Sequence, residues 1–174
     1  MTVHKLPLVL LFAAAPALAQ PGPAPARRAE QPTPRVVGEW GDWEAFTSRQ
    51  AGAAVCYVLS RPFSSVPAVA GPDGPTLTVA SRPGRADAVS LTAGRPGMDA
   101  ATVEVRVGSA LFAFDTAPDG AFARDGVAVV AAVERGLQAV AYSTRPGGAR
   151  ATDTYSLRGF RAAYGAMQRA CPAP

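Results

Sequence analysis

The chain contains 174 residues, with 17 basic and 13 acidic side chains and a net charge of +4 at neutral pH. This length suits one domain with a substantial core, and no segment of about 20 to 50 residues repeats along it. Apart from Arg27-Arg28 the arginines are scattered singly, and no aromatic residues alternate with them as in nucleic-acid grooves. The composition therefore predicts no nucleic-acid partner and leaves the oligomeric state open.

Residues 1–19 have the organisation of a secretory signal peptide. Lys5 lies in a short positive region, Leu6 to Ala15 form an apolar run, and Ala17-Leu18-Ala19 is a small-residue cleavage site. The apolar run is about half the roughly 20 residues that a membrane-spanning helix needs. We therefore predict cleavage and a periplasmic or secreted mature chain with no transmembrane span. The chain's only histidine, His4, and only lysine, Lys5, would leave with the signal.

Residues 20–35 are rich in proline and carry no bulky apolar side chain, which predicts a disordered linker. The alternative is a proline-rich ligand for a partner's aromatic groove. Residues 36–174 are then expected to form a single domain. Loose alternation over 42–48 predicts its first strand, with Trp43 and Ala45 on one face.

The next strands are separated by turns and prolines. The uninterrupted apolar run over 54–60 predicts a strand that is covered on both faces. Four prolines then predict a long unpaired loop, at Pro62, Pro67, Pro72 and Pro75. Alternation resumes over 76–81 and 88–93, with a turn sequence at 82–85 between them.

Gly108-Ser109 predicts the tight turn of a β-hairpin, because glycine occupies the first position that a type II′ turn requires. With this turn, three pairs face each other on one side of the hairpin: Val107 and Ala110, Val105 and Phe112, and Val103 and Phe114. A register shift of one residue would mix apolar and polar faces, so we expect this register.

The C-terminal third contains two predicted helices and two strands. Asp125 is expected to cap a short helix in which Val127, Val130, Ala131 and Glu134 follow at helical spacing, and Gly136 ends it. Strands are predicted at 137–144 and 151–155, joined by a turn at 146–148. Ser156 is the expected cap of an amphipathic helix whose apolar stripe consists of Leu157, Phe160, Tyr164, Met167 and Cys171.

These elements predict a mainly β fold, an antiparallel β-sandwich or partly closed barrel. We expect seven to eight strands, one short interior helix and a C-terminal amphipathic helix.

Cys56 and Cys171 are the only cysteines, one in a strand that we expect to be buried and one on the stripe of the last helix. In an oxidising compartment this arrangement predicts a structural disulfide. Three alternatives remain: a redox-active pair, which usually has Cys-x-x-Cys spacing, a metal site, which needs further ligands, and free buried thiols.

Most ordinary enzyme chemistry is excluded from a mature chain without histidine or lysine, including Ser-His-Asp triads and Schiff bases. The spacing of Asp115, Asp119 and Asp125 does not fit a calcium loop, and no phosphate-binding glycine loop is present. We predict no cofactor and no metal. A glycan hydrolase is the remaining enzyme hypothesis, because it needs only two carboxylates and Glu39, Asp42 and Glu44 lie near Trp40 and Trp43.

Three segments together resemble the invasion-associated locus B (IalB) family of bacterial exported proteins. They are Gly41-Asp42-Trp43-Glu44-Ala45-Phe46-Thr47, Val55-Cys56-Tyr57-Val58-Leu59-Ser60-Arg61-Pro62 and Thr152-Asp153-Thr154-Tyr155-Ser156-Leu157-Arg158-Gly159-Phe160. The resemblance implies a small β-rich envelope protein, named for a member needed for entry into host red cells, and transfers no catalytic residue. It marks Trp43, Tyr57, Asp153, Tyr155 and Phe160 as structural motif positions.

The chain departs from the family pattern in one respect. Invasion-linked members tend to carry another cysteine just after the first-strand tryptophan, where this chain has Phe46-Thr47-Ser48. This departure places the chain in a two-cysteine branch. We expect an exported, non-enzymatic binding module for an unknown envelope or host protein, with a link to host-cell invasion. A housekeeping periplasmic role and, less favoured, the glycan hydrolase are the alternatives.

Overall fold

The computed structural model describes residues 33–50, 52–69, 74–82, 85–92, 102–118, 120–144, 148 and 150–171. This part of the chain forms eleven β-strands and two α-helices. The strands are β1 (Arg35–Trp40), β2 (Trp43–Gln50), β3 (Ala53–Ser60), β4 (Ser64–Val66), β5 (Thr76–Arg82), β6 (Arg85–Thr92), β7 (Val103–Val107), β8 (Ala110–Ala117), β9 (Gly120–Ala123), β10 (Gln138–Thr144) and β11 (Arg150–Ser156). The helices are α1 (Gly126–Val133) and α2 (Phe160–Ala170). None of these helices is long and apolar enough to cross a membrane.

The strands form one antiparallel sheet in the order β1-β2-β3-β5-β6-β9-β8-β7-β10-β11-β4. The sheet is open, but its two ends approach each other, because the indole Nε1 of Trp43 on β2 donates to the carbonyl oxygen of Ser156 on β11 at 3.0 Å. A partly closed barrel describes this arrangement, and the predicted mainly β class with its two helices is confirmed.

The core lies on the inner face of the curved sheet, beneath the two helices. Ala45, Val58, Val79 and Val89 form one buried row across β2, β3, β5 and β6, each opposite its neighbour in the ladder. Helix α2 packs on β1, β2 and β3, whereas α1 packs on β6. Because side chains alternate along a strand, every second residue enters this core, at about 1.5–3 kcal/mol for each fully buried valine or leucine.

The hairpin of β7 and β8 has the predicted register, with Val107 opposite Ala110, Val105 opposite Phe112 and Val103 opposite Phe114. Gly108 has a φ of +59°, which glycine adopts without steric cost. The valines of β7 are buried and the residues between them are exposed, so the alternation of the sequence correctly identified the inner face.

Three strands were not expected from the sequence: β1, β4 and β9. The prediction of an unpaired loop after Pro62 was wrong in part, because Ser64–Val66 fits between two prolines and pairs with β11 at the sheet edge. Strand β1 begins at Arg35, the last residue of the segment predicted as a linker. Pro72, Ala93, Asp119 and the turn residues 83–84 and 146–147 lie outside the described residues.

Two helix predictions need correction. Asp125 does cap α1, since its side chain accepts from the amide of Ala128, but Val129, Val130 and Val133 form the buried face and Val127 is 58% exposed. Ser156 is the last residue of β11 and not a helix cap, and the cap of α2 is Gly159, with a φ of +95°. The chain must first turn through this left-handed residue, so α2 starts only at Phe160.

Candidate functional site

Trp43 and Phe160, two of the motif residues, meet in the core between β2 and α2. Their ring centroids are 4.8 Å apart with the planes at 68°, an edge-to-face contact, and each residue is only 1% exposed. Phe160 also stacks on Tyr164, one turn further along α2, with centroids 5.4 Å apart. These three rings attach α2 to the first strands of the sheet.

Polar contacts surround this aromatic cluster and join the β1–β2 turn to the start of α2. We call this region the hairpin–helix clasp and define it by Gly41, Asp42, Trp43, Ser156, Arg158 and Gly159. The amide of Asp42 donates to the carbonyl oxygen of Arg158 at 3.1 Å, and the Arg158 guanidinium donates from Nε to the Asp42 carboxylate at 3.2 Å. The hydrogen bond from Arg158 holds the pKa of the Asp42 carboxyl below its usual value.

The two glycines of the clasp are required by close backbone approach. A Cβ atom on Gly159 would lie 1.8 Å from the carbonyl oxygen of Trp40, and one on Gly41 would lie 2.6 Å from that of Arg158. Both residues also have a positive φ. The motif Gly-Asp-Trp and the motif Arg-Gly-Phe therefore fit each other as two sides of one contact.

Cys56 and Cys171 form a disulfide, as predicted, with their Cα atoms 5.9 Å apart across 115 positions of sequence. Cys56 is fully buried on β3, and Cys171 directly follows α2. The disulfide fixes the end of the helix whose beginning is held by the clasp. A loop of about 100 residues closed in this way gains roughly 4.7 kcal/mol in the chain-entropy model.

The other motif residues lie apart from the clasp. Tyr57 is on the side of β3 that faces away from the core, where its ring stacks on Phe46 with the centroids 5.1 Å apart. Burial raises the pKa of its hydroxyl. Asp153 and Tyr155 are buried on the inner face of β11, opposite Ala141 and Ala139 of β10. The five motif residues thus contribute to the fold at three separate places.

Two of the three carboxylates considered for glycan hydrolysis, Glu44 and Asp42, are engaged by arginines. Glu44 accepts from Arg61 at 3.0 Å, and Asp42 is engaged by Arg158 in the clasp. Trp43 points into the core and cannot stack on a sugar. No three His, Cys, Asp or Glu side chains come together as a metal site within the described residues. Asp115 pairs with Arg124, and Asp125 caps α1.

Tyr164 links α2 to β6, since its hydroxyl donates to the Asp87 carboxylate. Desolvation by burial, followed by this hydrogen bond, raises the pKa of Tyr164 well above its usual range. The phenol therefore stays protonated and serves as a donor that joins helix to sheet.

Exposed apolar side chains are found on the opposite, solvent-facing side of β8, β7, β10, β11 and β4, which we call the outer face. Leu111, Arg106, Val140 and Thr154 form one row across it, and Val66 lies in the next row. Leu111 is 56% exposed, and Leu137, just before β10, is 90% exposed. The hairpin register predicted from the sequence already puts Leu111 on this side, opposite Arg106. The sequence did not reveal the exposure of Leu137, because a leucine beside a strand is ordinarily assigned to the core.

A groove of about 600 Å³ borders the outer face, and Leu137 is one of the residues that line it. The described residues that line it are Arg106, Gly108, Arg135, Gly136, Leu137, Gln138 and Val140. We call it the Leu137 groove. Two guanidinium groups and two apolar side chains give it the mixed character of a protein-binding surface.

Comparison with solved structures found a match to the crystal structure of invasion-associated protein B from Bartonella henselae. The TM-score is 0.53 at 22% sequence identity, over 76% of this chain and 95% of that protein. The chain has the fold of invasion-associated protein B. The resemblance predicted from the three sequence segments is thus confirmed at the level of the fold. No family model matches the chain. No curated protein matches it either.

Proposed function

We propose that the chain is an exported, non-enzymatic member of the invasion-associated locus B family that binds a protein partner through its outer face. The observations that carry the proposal are the exposure of Leu111 on that face and of Leu137 in the groove that borders it. Large side chains exposed beside arginines are typical of interaction sites, in which apolar anchors bury against a partner.

Export is supported by the signal-like residues 1–19 and by the Cys56–Cys171 disulfide. Structural disulfides form and persist in oxidising compartments such as the periplasm. The clasp supports a binding role in preference to an enzymatic one. Residues that suggested a catalytic site in the sequence stabilise the fold there. Asp42 and Trp43 there contact the backbone and side chains of the start of α2.

A role in host-cell invasion is the finer part of the proposal. This role is supported by the fold that the chain shares with invasion-associated protein B from Bartonella henselae. In the alternative, a housekeeping role in the periplasm, the chain is also exported and binds through the same face. Host-cell entry by a strain that lacks the gene separates the two, because undiminished entry would exclude the invasion role.

The binding function is tested by photo-crosslinking in intact cells. Benzoylphenylalanine replaces Leu111 or Val66 on the outer face or Leu137 in the adjoining groove, and Val127, which is exposed on α1, serves as the matched control position. We expect discrete crosslinked products from outer-face positions and none from the control. Equal labelling at all four positions would contradict a binding role for this face.

Export is tested in the same cells by the intact mass of the purified protein. We expect a chain that starts at Gln20 and gains two hydrogens on reduction. A full-length chain with two free thiols in the cytosolic fraction would contradict export.

A further inference from the structure

Leu137 is held in its exposed position by the backbone around it. The amides of Arg135 and Gly136 donate to the carbonyl oxygen of Ala132 at 3.1 and 2.9 Å, which closes the end of α1. The carbonyl oxygen of Leu137 accepts from the amide of Leu157 at 3.1 Å. These bonds fix the segment between α1 and β10, so the side chain is displayed without a loss of backbone freedom on binding.

The surroundings of Leu137 combine apolar and cationic groups. Val140 and Leu137 line the groove, and Leu111 lies directly opposite Arg106 in the β7–β8 ladder. Arg106 is therefore flanked by Leu111 on one side and by Val140 on the other. A partner side chain that covers this area would bury large apolar groups while it lies within reach of a guanidinium.

Arg106 is positioned in advance by Tyr142. Its Nη2 donates to the Tyr142 hydroxyl, and its Cζ lies 5.2 Å from the centre of the ring. A guanidinium has five N–H donors in a planar fork, so this contact leaves donors for a carboxylate. Arg106 is thus oriented before a ligand arrives, which reduces the entropy lost on binding.

The charge in the groove has one sign among the described residues. Arg106 and Arg135 line it and no carboxylate does. The nearest acidic residues in sequence, Glu104 and Glu134, lie outside the lining, and the carbonyl oxygen of Glu134 accepts from Arg161 on α2. A second copy of the chain would place like charges against each other in a two-fold contact, which disfavours self-association through this groove.

We infer that the Leu137 groove binds an acidic segment of a partner protein that carries a bulky apolar residue next to a carboxylate. The apolar residue packs on Leu137 and Val140, and the carboxylate accepts hydrogen bonds from Arg106 and Arg135. This inference rests on the proposed binding function and names the chemistry of the partner.

The test uses random peptides displayed on phage and selected on the folded, disulfide-bonded protein. A counter-selection removes peptides that also bind the triple variant Leu137→Ser, Arg106→Gln, Arg135→Gln. We expect the enriched peptides to combine Asp or Glu with Leu, Ile, Phe or Trp. For one enriched synthetic peptide, Arg135→Gln and Leu137→Ser should each weaken binding by about tenfold or more, and salt should weaken it further.

Matched controls are Arg169→Gln in the last turn of α2 and Val127→Ser on α1, both exposed and outside the groove. These variants should bind the peptide as the parent protein does. Enriched peptides without acidic residues, no enrichment over the triple variant, or equal losses in the control variants would each overturn the inference. The proposed binding function would survive any of these results if crosslinking at Val66 still gave a discrete product.

Discussion

The hairpin–helix clasp and the Leu137 groove use similar residue types in opposite ways. At the clasp, Trp43 is buried against Phe160 of α2, and Arg158 donates a hydrogen bond to Asp42. In the groove, Leu137 and Arg135 face solvent on a backbone that is equally well fixed. The motif residues of the clasp thus hold this fold together, while the binding that we propose uses residues outside the family-like motifs.

The largest expected effect is on stability, and it distinguishes the buried core at the clasp from the exposed Leu137 groove. Phe160→Ala removes a ring from the centre of the core cluster and should lower the free energy of unfolding by about 3–5 kcal/mol. Leu137→Ala removes an exposed side chain and should change it by less than about 0.5 kcal/mol. Urea denaturation of both variants measures the contrast, and equal losses would mean that Leu137 is part of the core.

Loss of the disulfide should have the next largest effect on stability. The disulfide holds the C-terminal end of α2, whereas the clasp holds its N-terminal end. Replacing Cys56 and Cys171 together by alanine should cost about 2–4 kcal/mol in unfolding free energy. The double replacement avoids a free thiol. A reductant should lower the stability of the parent protein and leave the variant unchanged, and a parent protein insensitive to the reductant would contradict a stabilising disulfide.

A substitution of Gly159 tests the close backbone approach between the β1–β2 turn and the start of α2. Gly159→Ala places a Cβ atom against the carbonyl oxygen of Trp40 at a φ of +95° and should cost about 2 kcal/mol or more. Gly52 is the matched control, since its φ is +85° and nothing lies within 4 Å of a Cβ atom there. Gly52→Ala should cost only the conformational strain, about 1–2 kcal/mol. Similar thermal melting of the two variants would show that the clasp tolerates the extra atom.

The parts of the fold that the sequence predicted are those with two agreeing signals. The β7–β8 register combined strict alternation with a glycine in a two-residue turn, and both requirements admit one pairing. The disulfide combined a buried strand with an apolar helix stripe, and the chain offers no other pair of cysteines.

The predictions that failed depended on a single sequence pattern or on none. Strands β4 and β9 are three and four residues long, too short to show a period, and depend on neighbouring strands for their hydrogen bonds. Helix α1 is apolar on nearly every side, so hydropathy could not choose Val129 and Val133 over Val127 as its buried face. The same ambiguity concealed Leu137, because the exposure of one leucine depends on the tertiary path of the backbone.

Asp42 gives the smallest expected effect and tests whether the exposed ion pair of the clasp adds to its buried contacts. Hydrogen bonding from Arg158 lowers the pKa of Asp42 in the folded protein from the usual 3.8, so the carboxylate stabilises the fold above about pH 4. This contribution is lost as the pH falls through the folded-state pKa. Asp42→Asn should therefore melt slightly below the parent protein at neutral pH and converge with it in acid. In an Arg158→Gln background the same change should have a smaller effect, because the main partner is already absent and only the hydrogen bond with Ser156 is left. A melting difference that persists unchanged into acid would show that the charge of Asp42 is not the cause. Equal melting at neutral pH would mean that the ion pair adds nothing to the buried rings and backbone hydrogen bonds of the clasp.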